Sequence, residues 1–133
     1  MSGAKILVVD DEPDVVETVR FRLEQEGYEI STASDGLEAL AAVRASQPDL
    51  MVLDVMMPGE NGYRVAKQIR EEEAAGLHRR RTAIILLTAR DLGLEPERER
   101  MFMDFSKADR VIYKPFDLED LVRQVGELLS RGA

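Results

Sequence analysis

Two short apolar runs of this chain end in aspartate, a third ends in threonine and a fourth in lysine. Ile6-Leu7-Val8-Val9 leads into Asp10-Asp11-Glu12, and Leu50-Met51-Val52-Leu53 into Asp54. Ala83-Ile84-Ile85-Leu86-Leu87 leads into Thr88, and Val111-Ile112-Tyr113 into Lys114-Pro115. Carboxylates brought to one place repel and raise one another's pKa unless a cation joins them. The chain has no cysteine and one histidine, so any such cation is held by oxygen. A hard divalent ion, Mg2+, fits that donor set: it takes one or two carboxylates, a carbonyl and waters, and leaves room for phosphate oxygens. With the ammonium of Lys114 and the hydroxyl of Thr88, the set supplies what a transferring phosphoryl group needs around its oxygens. Asp54 can then be the nucleophile that carries an acyl phosphate. Taken singly each residue has an ordinary role, as a helix cap, a strand residue or a loop charge. The expectation rests on their coincidence.

That coincidence needs a scaffold. A fifth run, Tyr28 to Ala33, joins the four, and amphipathic stretches separate them. Short β-branched runs alternating with helical spacing predict βαβ units and a parallel sheet, with right-handed crossovers placing helices on both faces. Runs almost wholly apolar suit strands covered on both sides. Val16, Val19 and Leu23 share a face of the first predicted helix, and Leu37, Leu40 and Ala41 a face of the second. The third starts near Asn61-Gly62, the fourth covers Pro96 to Phe105, and the last carries a stripe of Leu118, Leu121, Val122, Val125, Leu128 and Leu129. Ser34-Asp35-Gly36 reads as a turn and helix cap. In an open parallel sheet the carboxyl ends of the strands converge on the ligand site, which is where the acidic, threonine and lysine positions fall.

Composition narrows the function. At 133 residues and 44% hydrophobic content the chain predicts one domain, residues 1–133. Its 18 basic against 26 acidic residues give a formal charge of −8, which disfavours a nucleic-acid partner. No apolar run is long enough for a membrane span, and the first residues do not read as a signal peptide, so a cytoplasmic location is expected. Only Arg131-Gly132-Ala133 follow the last helix, from which a stand-alone domain is expected. Neither a phosphate-binding G-x-x-x-x-G-K-[ST] nor a dinucleotide-binding G-x-G-x-x-G occurs.

At these residues the chain resembles the receiver domain of bacterial two-component response regulators. The matching pieces are Ile6 to Pro13, Asp54-Val55-Met56-Met57-Pro58-Gly59-Glu60-Asn61-Gly62, Leu86-Leu87-Thr88-Ala89-Arg90 and Lys114-Pro115-Phe116. The resemblance implies a flavodoxin-like (βα)5 three-layer α/β/α sandwich with strand order 2-1-3-4-5. It implies that Asp54 accepts phosphoryl from a sensor histidine kinase or a histidine phosphotransfer protein. Asp11, Asp54 and the backbone carbonyl of Met56 would ligate Mg2+, with Asp10 acting through water. Lys114 would pair with the phosphoryl oxygens, Thr88 would move toward them, and the peptide bond before Pro115 would be cis. The added charge would bias a surface of helix four, strand five and helix five that docks a downstream protein target, and a phosphorylation-dependent homodimer is compatible with it.

Departures from the family pattern are few. Val111 stands where an aromatic is usual, and Tyr113, on the same strand face, is the substitute the spacing offers. The stretch from Thr88 to Lys114 is long and holds Asp91-Leu92-Gly93-Leu94-Glu95 and Met101-Phe102-Met103-Asp104-Phe105; most of the latter's large side chains are expected in the core, with at least one exposed. Lys107 replaces a usual glycine, which argues against a left-handed helix end there. Arg79 to Arg81 read as a solvated run balancing Glu71 to Glu73. Met56 and Arg90 would flank the path of attacking water. Two rivals follow: a phosphorylation-independent pseudo-receiver acting as an interaction scaffold, and an aspartyl-phosphate phosphatase of the haloacid dehalogenase type. The second needs Asp-x-Asp after the first strand, which this chain lacks.

Overall fold

Strand β1 (Lys5–Val9), helix α1 (Pro13–Gln25), β2 (Glu29–Ala33), α2 (Gly36–Ser46), β3 (Leu50–Asp54), α3 (Gly62–Ala74), β4 (Ala83–Ala89), α4 (Pro96–Ser106), β5 (Arg110–Lys114) and α5 (Leu118–Arg131) follow one another along the chain. The computed structural model describes residues 3–57, 60–89 and 96–131. A two-residue antiparallel ladder, Met56 opposite Asn61 and Met57 opposite Glu60, links β3 to α3. The five strands pair in parallel in the order β2-β1-β3-β4-β5, the predicted topology. Pro58, Gly59, Arg90 and the stretch Asp91 to Glu95 lie outside the described residues. No helix among the described residues is long and apolar enough to cross a membrane.

The period-two alternation of a strand divides the core in two. Leu7, Val9, Met51, Leu53, Ile84 and Leu86 point to α2 and α3, where they meet Ala39, Val43, Val65, Ala66 and Ile69. Ile6, Val8, Leu50, Val52, Ile85 and Leu87 point the other way, to Val19 and Leu23 of α1 and Leu121, Val125 and Leu128 of α5. The central strands are thus buried on both faces, as their unbroken apolar runs require.

Several local expectations change. Leu37 is exposed, and α2 instead buries Gly36, Ala39 and Val43 with Leu40 half-covered, because its small residues lie against the sheet. Asp35 caps that helix as expected, accepting from the Glu38 amide at 2.8 Å. In α4, Phe102 and Met103 pack against the core while Met101 and Phe105 are exposed, so none of the four large side chains is fully buried. Lys107 adopts φ +55, so α4 does end left-handed without glycine. Its amide donates to the Met103 carbonyl at 2.8 Å, and its own carbonyl accepts from Arg70 Nε at 2.9 Å, which compensates the strain. The arginine run balances other partners: Arg80 pairs with Asp49 and Arg81 with Asp109.

The acidic run at the end of α3 is used for internal ties at the amino edge of the sheet. Buried Arg70 donates to Thr82 O and Glu73 Oε1, both at 2.8 Å, and to Asp109 Oδ2 at 3.0 Å, joining α3 to the starts of β4 and β5. Buried Glu72 accepts from Arg44 of α2 at 2.6 Å and 3.1 Å and from Gln68 at 3.0 Å, and lies 3.0 Å from His78 Nε2.

Arg44, above all, with help from Gln68 and His78, holds the Glu72 carboxyl down at about 2 against the upward push of burial. A carboxyl depressed on folding contributes stability fully above its unfolded pKa of roughly 4.3 and loses it as pH falls toward the folded value. Glu72→Gln should therefore cost about 1–2 kcal/mol near neutral pH, the half-exposed Arg44 screening the rest. The deficit should shrink between about pH 4.5 and 2, measured as chemical denaturation of both proteins across that window.

Candidate functional site

At the carboxyl edge the strand ends deliver their side chains as the spacing predicts, with small shifts of boundary. Asp54 is the last residue of β3, and Thr88 and Lys114 lie within β4 and β5. Asp10 follows β1 and its amide donates to the Ala33 carbonyl of β2 at 3.2 Å. Asp10 Oδ1 accepts from the Glu12 amide at 3.0 Å, bending the chain into α1, which Pro13 opens.

Lys114 is the cation among these carboxylates. Its Nζ stands 3.1 Å from Asp10 Oδ2, 3.5 Å from Asp54 Oδ1 and 3.7 Å from Glu12 Oε1. Asp10 and Asp54 are buried, at 1% and 3% exposure. Burial, then the charge of Asp10, pushes Asp54 up to about 7 against the pull of Lys114 and the Met56 amide. Burial draws the Lys114 ammonium down, but Asp10, Asp54 and Glu12 outweigh it and the net direction is up. One ammonium against three carboxylates leaves an excess of negative charge at a partly dry edge.

Oxygen donors are ready for a divalent cation. Asp10, Asp11 and Glu12 each offer a carboxylate oxygen, all within 4.8 Å of one another, Asp11 and Glu12 from the exposed rim. Glu12 thus joins the predicted group; its place directly after Asp10-Asp11 was the available signal. Met56 sends its side chain outward, 58% exposed, and its amide donates to Asp54 Oδ1 at 3.2 Å. The donor set is hard, anionic and under-compensated, which fits Mg2+. The Lys114–Pro115 peptide bond is cis.

Two residues that sequence reasoning did not single out shape the site. Gly62 opens α3 directly under Asp54: a Cβ there would stand 2.5 Å from the Asp54 carbonyl oxygen and 2.7 Å from Val55 Cα, both backbone atoms. The Gly62 amide donates to the Val55 carbonyl at 2.9 Å, so this close approach sets the height of the Asp54 backbone. Tyr63, the next residue, is buried with its hydroxyl unpartnered among the described residues; so is Thr88 Oγ1.

A five-stranded parallel sheet with this edge defines a flavodoxin-like receiver fold. Residues 6–126 match the response regulator receiver domain, and the chain belongs to that family. It is 39% identical to the alkaline phosphatase synthesis transcriptional regulatory protein PhoP of Bacillus subtilis, over 96% of this chain and 49% of that protein. It is 42% identical to the transcriptional regulatory protein ResD of the same organism, over 97% of this chain and 49% of that one. The chain therefore spans about half the length of the curated relatives it matches. Among solved structures it is similar to the Francisella response regulator 1452 receiver domain (TM-score 0.85, 28% identity, covering 98% of this chain and 100% of that one). It is also similar to Thermotoga maritima TrrA in complex with Mg2+ and beryllium fluoride (TM-score 0.76, 37% identity, 94% and 98% covered). Receiver domains are signalling modules for which phosphorylation and Mg2+ binding are typical.

Gly62→Ala forces the Asp54 carbonyl and Val55 to move. It should destabilise the fold by about 1–3 kcal/mol, as overpacking does. Thermal melting and the amide resonances of Asp54 and Val55 check this, the largest displacements being expected at those two residues.

Proposed function

We propose that this chain is a phosphoryl-accepting response regulator domain in which Asp54 takes the phosphoryl group from a phosphohistidine on a sensor kinase or histidine phosphotransfer protein. The observation that supports it most is the buried Asp54 carboxyl, shared through Lys114 with Asp10 at the end of the central strand β3. In the transfer, the phosphorus–nitrogen bond to the partner's imidazole breaks as a carboxylate oxygen of Asp54 bonds to phosphorus, and the nitrogen keeps the electron pair. Asp54 must be ionised to attack, and burial and the Asp10 charge push it up to about 7 against the pull of Lys114, so a further cation favours the reactive form.

Mg2+, held by Asp11, Asp54 and the Met56 carbonyl with Asp10 through water, would offset the carboxylate charge and bind phosphoryl oxygens. Lys114 then pairs with the phosphoryl group, and Thr88 donates its hydroxyl to it. The roughly −1.5 to −2 charge gained biases the α4, β5 and α5 surface toward a downstream protein target. No nucleic-acid or membrane partner is part of this reading, a phosphorylation-dependent homodimer is compatible with it, and the cytoplasm is its proposed setting.

Incubation with acetyl phosphate and Mg2+ followed by intact mass measurement should show a phosphate-sized gain in the wild type and none in Asp54→Ala. No gain in either, together with no Mg2+ binding, would establish the scaffold reading instead. Met56, exposed two residues beyond Asp54, would place an apolar side chain beside the route of attacking water. Met56→Asn should shorten the lifetime of the phosphorylated form several-fold, followed as the decay of that mass gain.

A further inference from the structure

A buried hydroxyl without a partner is costly, so two on one side of the sheet call for a reason. Thr88 Oγ1 and the Tyr63 hydroxyl are both in this state among the described residues, at 2% and 3% residue exposure. They share one side of the sheet. Thr88 follows Leu86 by two positions, on the face that packs against α3, and Tyr63 belongs to that same buried cluster. Burial, then Glu99, raises the phenol's pKa and the Thr88 hydroxyl opposes them, yet neither hydroxyl completes a hydrogen bond of ordinary geometry.

The other side of the Tyr63 ring is engaged. It stacks on Phe102 of α4, with centroids 4.8 Å apart and an interplanar angle of 15°. Tyr63 and Phe102 also line a cavity of about 340 Å³ between α3 and α4, whose rim carries Arg64, Arg98, Met101 and Phe105. Tyr63 thus shares the sheet face of Thr88 and, through its ring, lines an exposed groove.

We propose that Tyr63 is a positioning residue that couples the Thr88 hydroxyl to helix α4 through a hydrogen-bond relay completed only when an anion occupies the Asp54 site. This rests on the phosphoryl-acceptor reading above. A threonine hydroxyl has one proton to give and lone pairs to receive. With an oxyanion on Asp54, Thr88 donates to it and accepts from the Tyr63 phenol, so both orphaned groups are satisfied together. The tyrosine ring follows its hydroxyl toward the site, Phe102 follows the ring, and the α3/α4 groove changes shape. In the resting protein the unsatisfied pair stores the bias, and occupancy releases it. The relay leaves Val111 free to be aliphatic, since the aromatic group that follows Thr88 is supplied by α3 and not by β5.

Methionine methyl resonances report both ends: Met56 lies beside the site, and Met101 and Met103 lie on α4. On adding Mg2+ and beryllium fluoride as the phosphoryl mimic, the wild type should shift all three. Tyr63→Phe keeps the stack and removes only the hydroxyl. It should keep the Met56 shift, lose most of the Met101 and Met103 shifts, and melt no lower than the wild type. Thr88→Val should give the same loss, and the double variant no more than either alone, as expected of one pair. Tyr113→Phe should retain the α4 response. Full Met101 and Met103 shifts in Tyr63→Phe with the Met56 shift intact would overturn the relay alone, as would a melting temperature well below wild type, which would mark the hydroxyl as an ordinary structural group. Absence of any Met56 response in the wild type would overturn the phosphoryl-acceptor reading itself.

Discussion

One ammonium facing three carboxylates is the constraint around which this molecule is arranged. Lys114 comes from the edge strand β5, Asp54 from the central β3, and Asp10 and Glu12 from the turn after β1. A parallel sheet in the order β2-β1-β3-β4-β5 brings these distant segments to one edge, because all its strands point the same way. The charges do not balance there. Asp54 is lifted to about 7 mainly by burial and by Asp10, so the edge is poised to gain from a cation and then from a group the cation can hold.

Such an edge works against folding, and the opposite edge carries the compensation. Arg70, buried and bonded to Glu73, Thr82, Lys107 and Asp109, fastens α3 to the start of β4 and to the segment before β5. Glu72 fastens α3 to α2 through Arg44. These ties use most of the polar side chains of α3 far from Asp54. Stability is thereby concentrated at the amino edge while the carboxyl edge keeps unpaired charge and unpaired hydroxyls, the division expected where function departs from the best local choice. The left-handed Lys107 belongs to the same economy: its carbonyl is held by Arg70, which offsets the strain a side chain meets at φ +55.

What was legible in the sequence was what periodicity and strand ends encode. Alternation of apolar runs with amphipathic stretches is enough for the sheet and its helices, and the polar residue after each run is enough for Asp10, Asp54, Thr88 and Lys114. Contacts that depend on shape were not legible. Leu37 matches a helical apolar face as well as Ala39 does, and only the closeness of α2 to the sheet selects the smaller residue. Arg80 and Arg81 sit near an acidic run in sequence, yet the fold brings Asp49 and Asp109 to them. Gly62 reads as the start of α3, while its role is a backbone approach so close that a Cβ there would stand 2.5 Å from the Asp54 carbonyl oxygen. Tyr63 follows that glycine into α3, and only the packing of α3 on the sheet brings it to the buried face that carries Thr88.

Gly62 and Tyr63 are adjacent, and their adjacency joins the two halves of the site. The glycine lets the first turn of α3 press against the backbone of Asp54, and the next side chain therefore enters the core on the sheet face that carries Thr88, where its ring meets Phe102 of α4. A movement of either partner is felt by a helix whose start is already in contact with the acceptor strand. Close-packed interiors do not deform continuously; they switch between arrangements that fill the same space. A pair of hydroxyls that fails to bond in one arrangement and can bond in another is a local reason for two such states to lie close in energy, and the groove lined by Met101 and Phe105 is where the difference between them reaches the surface.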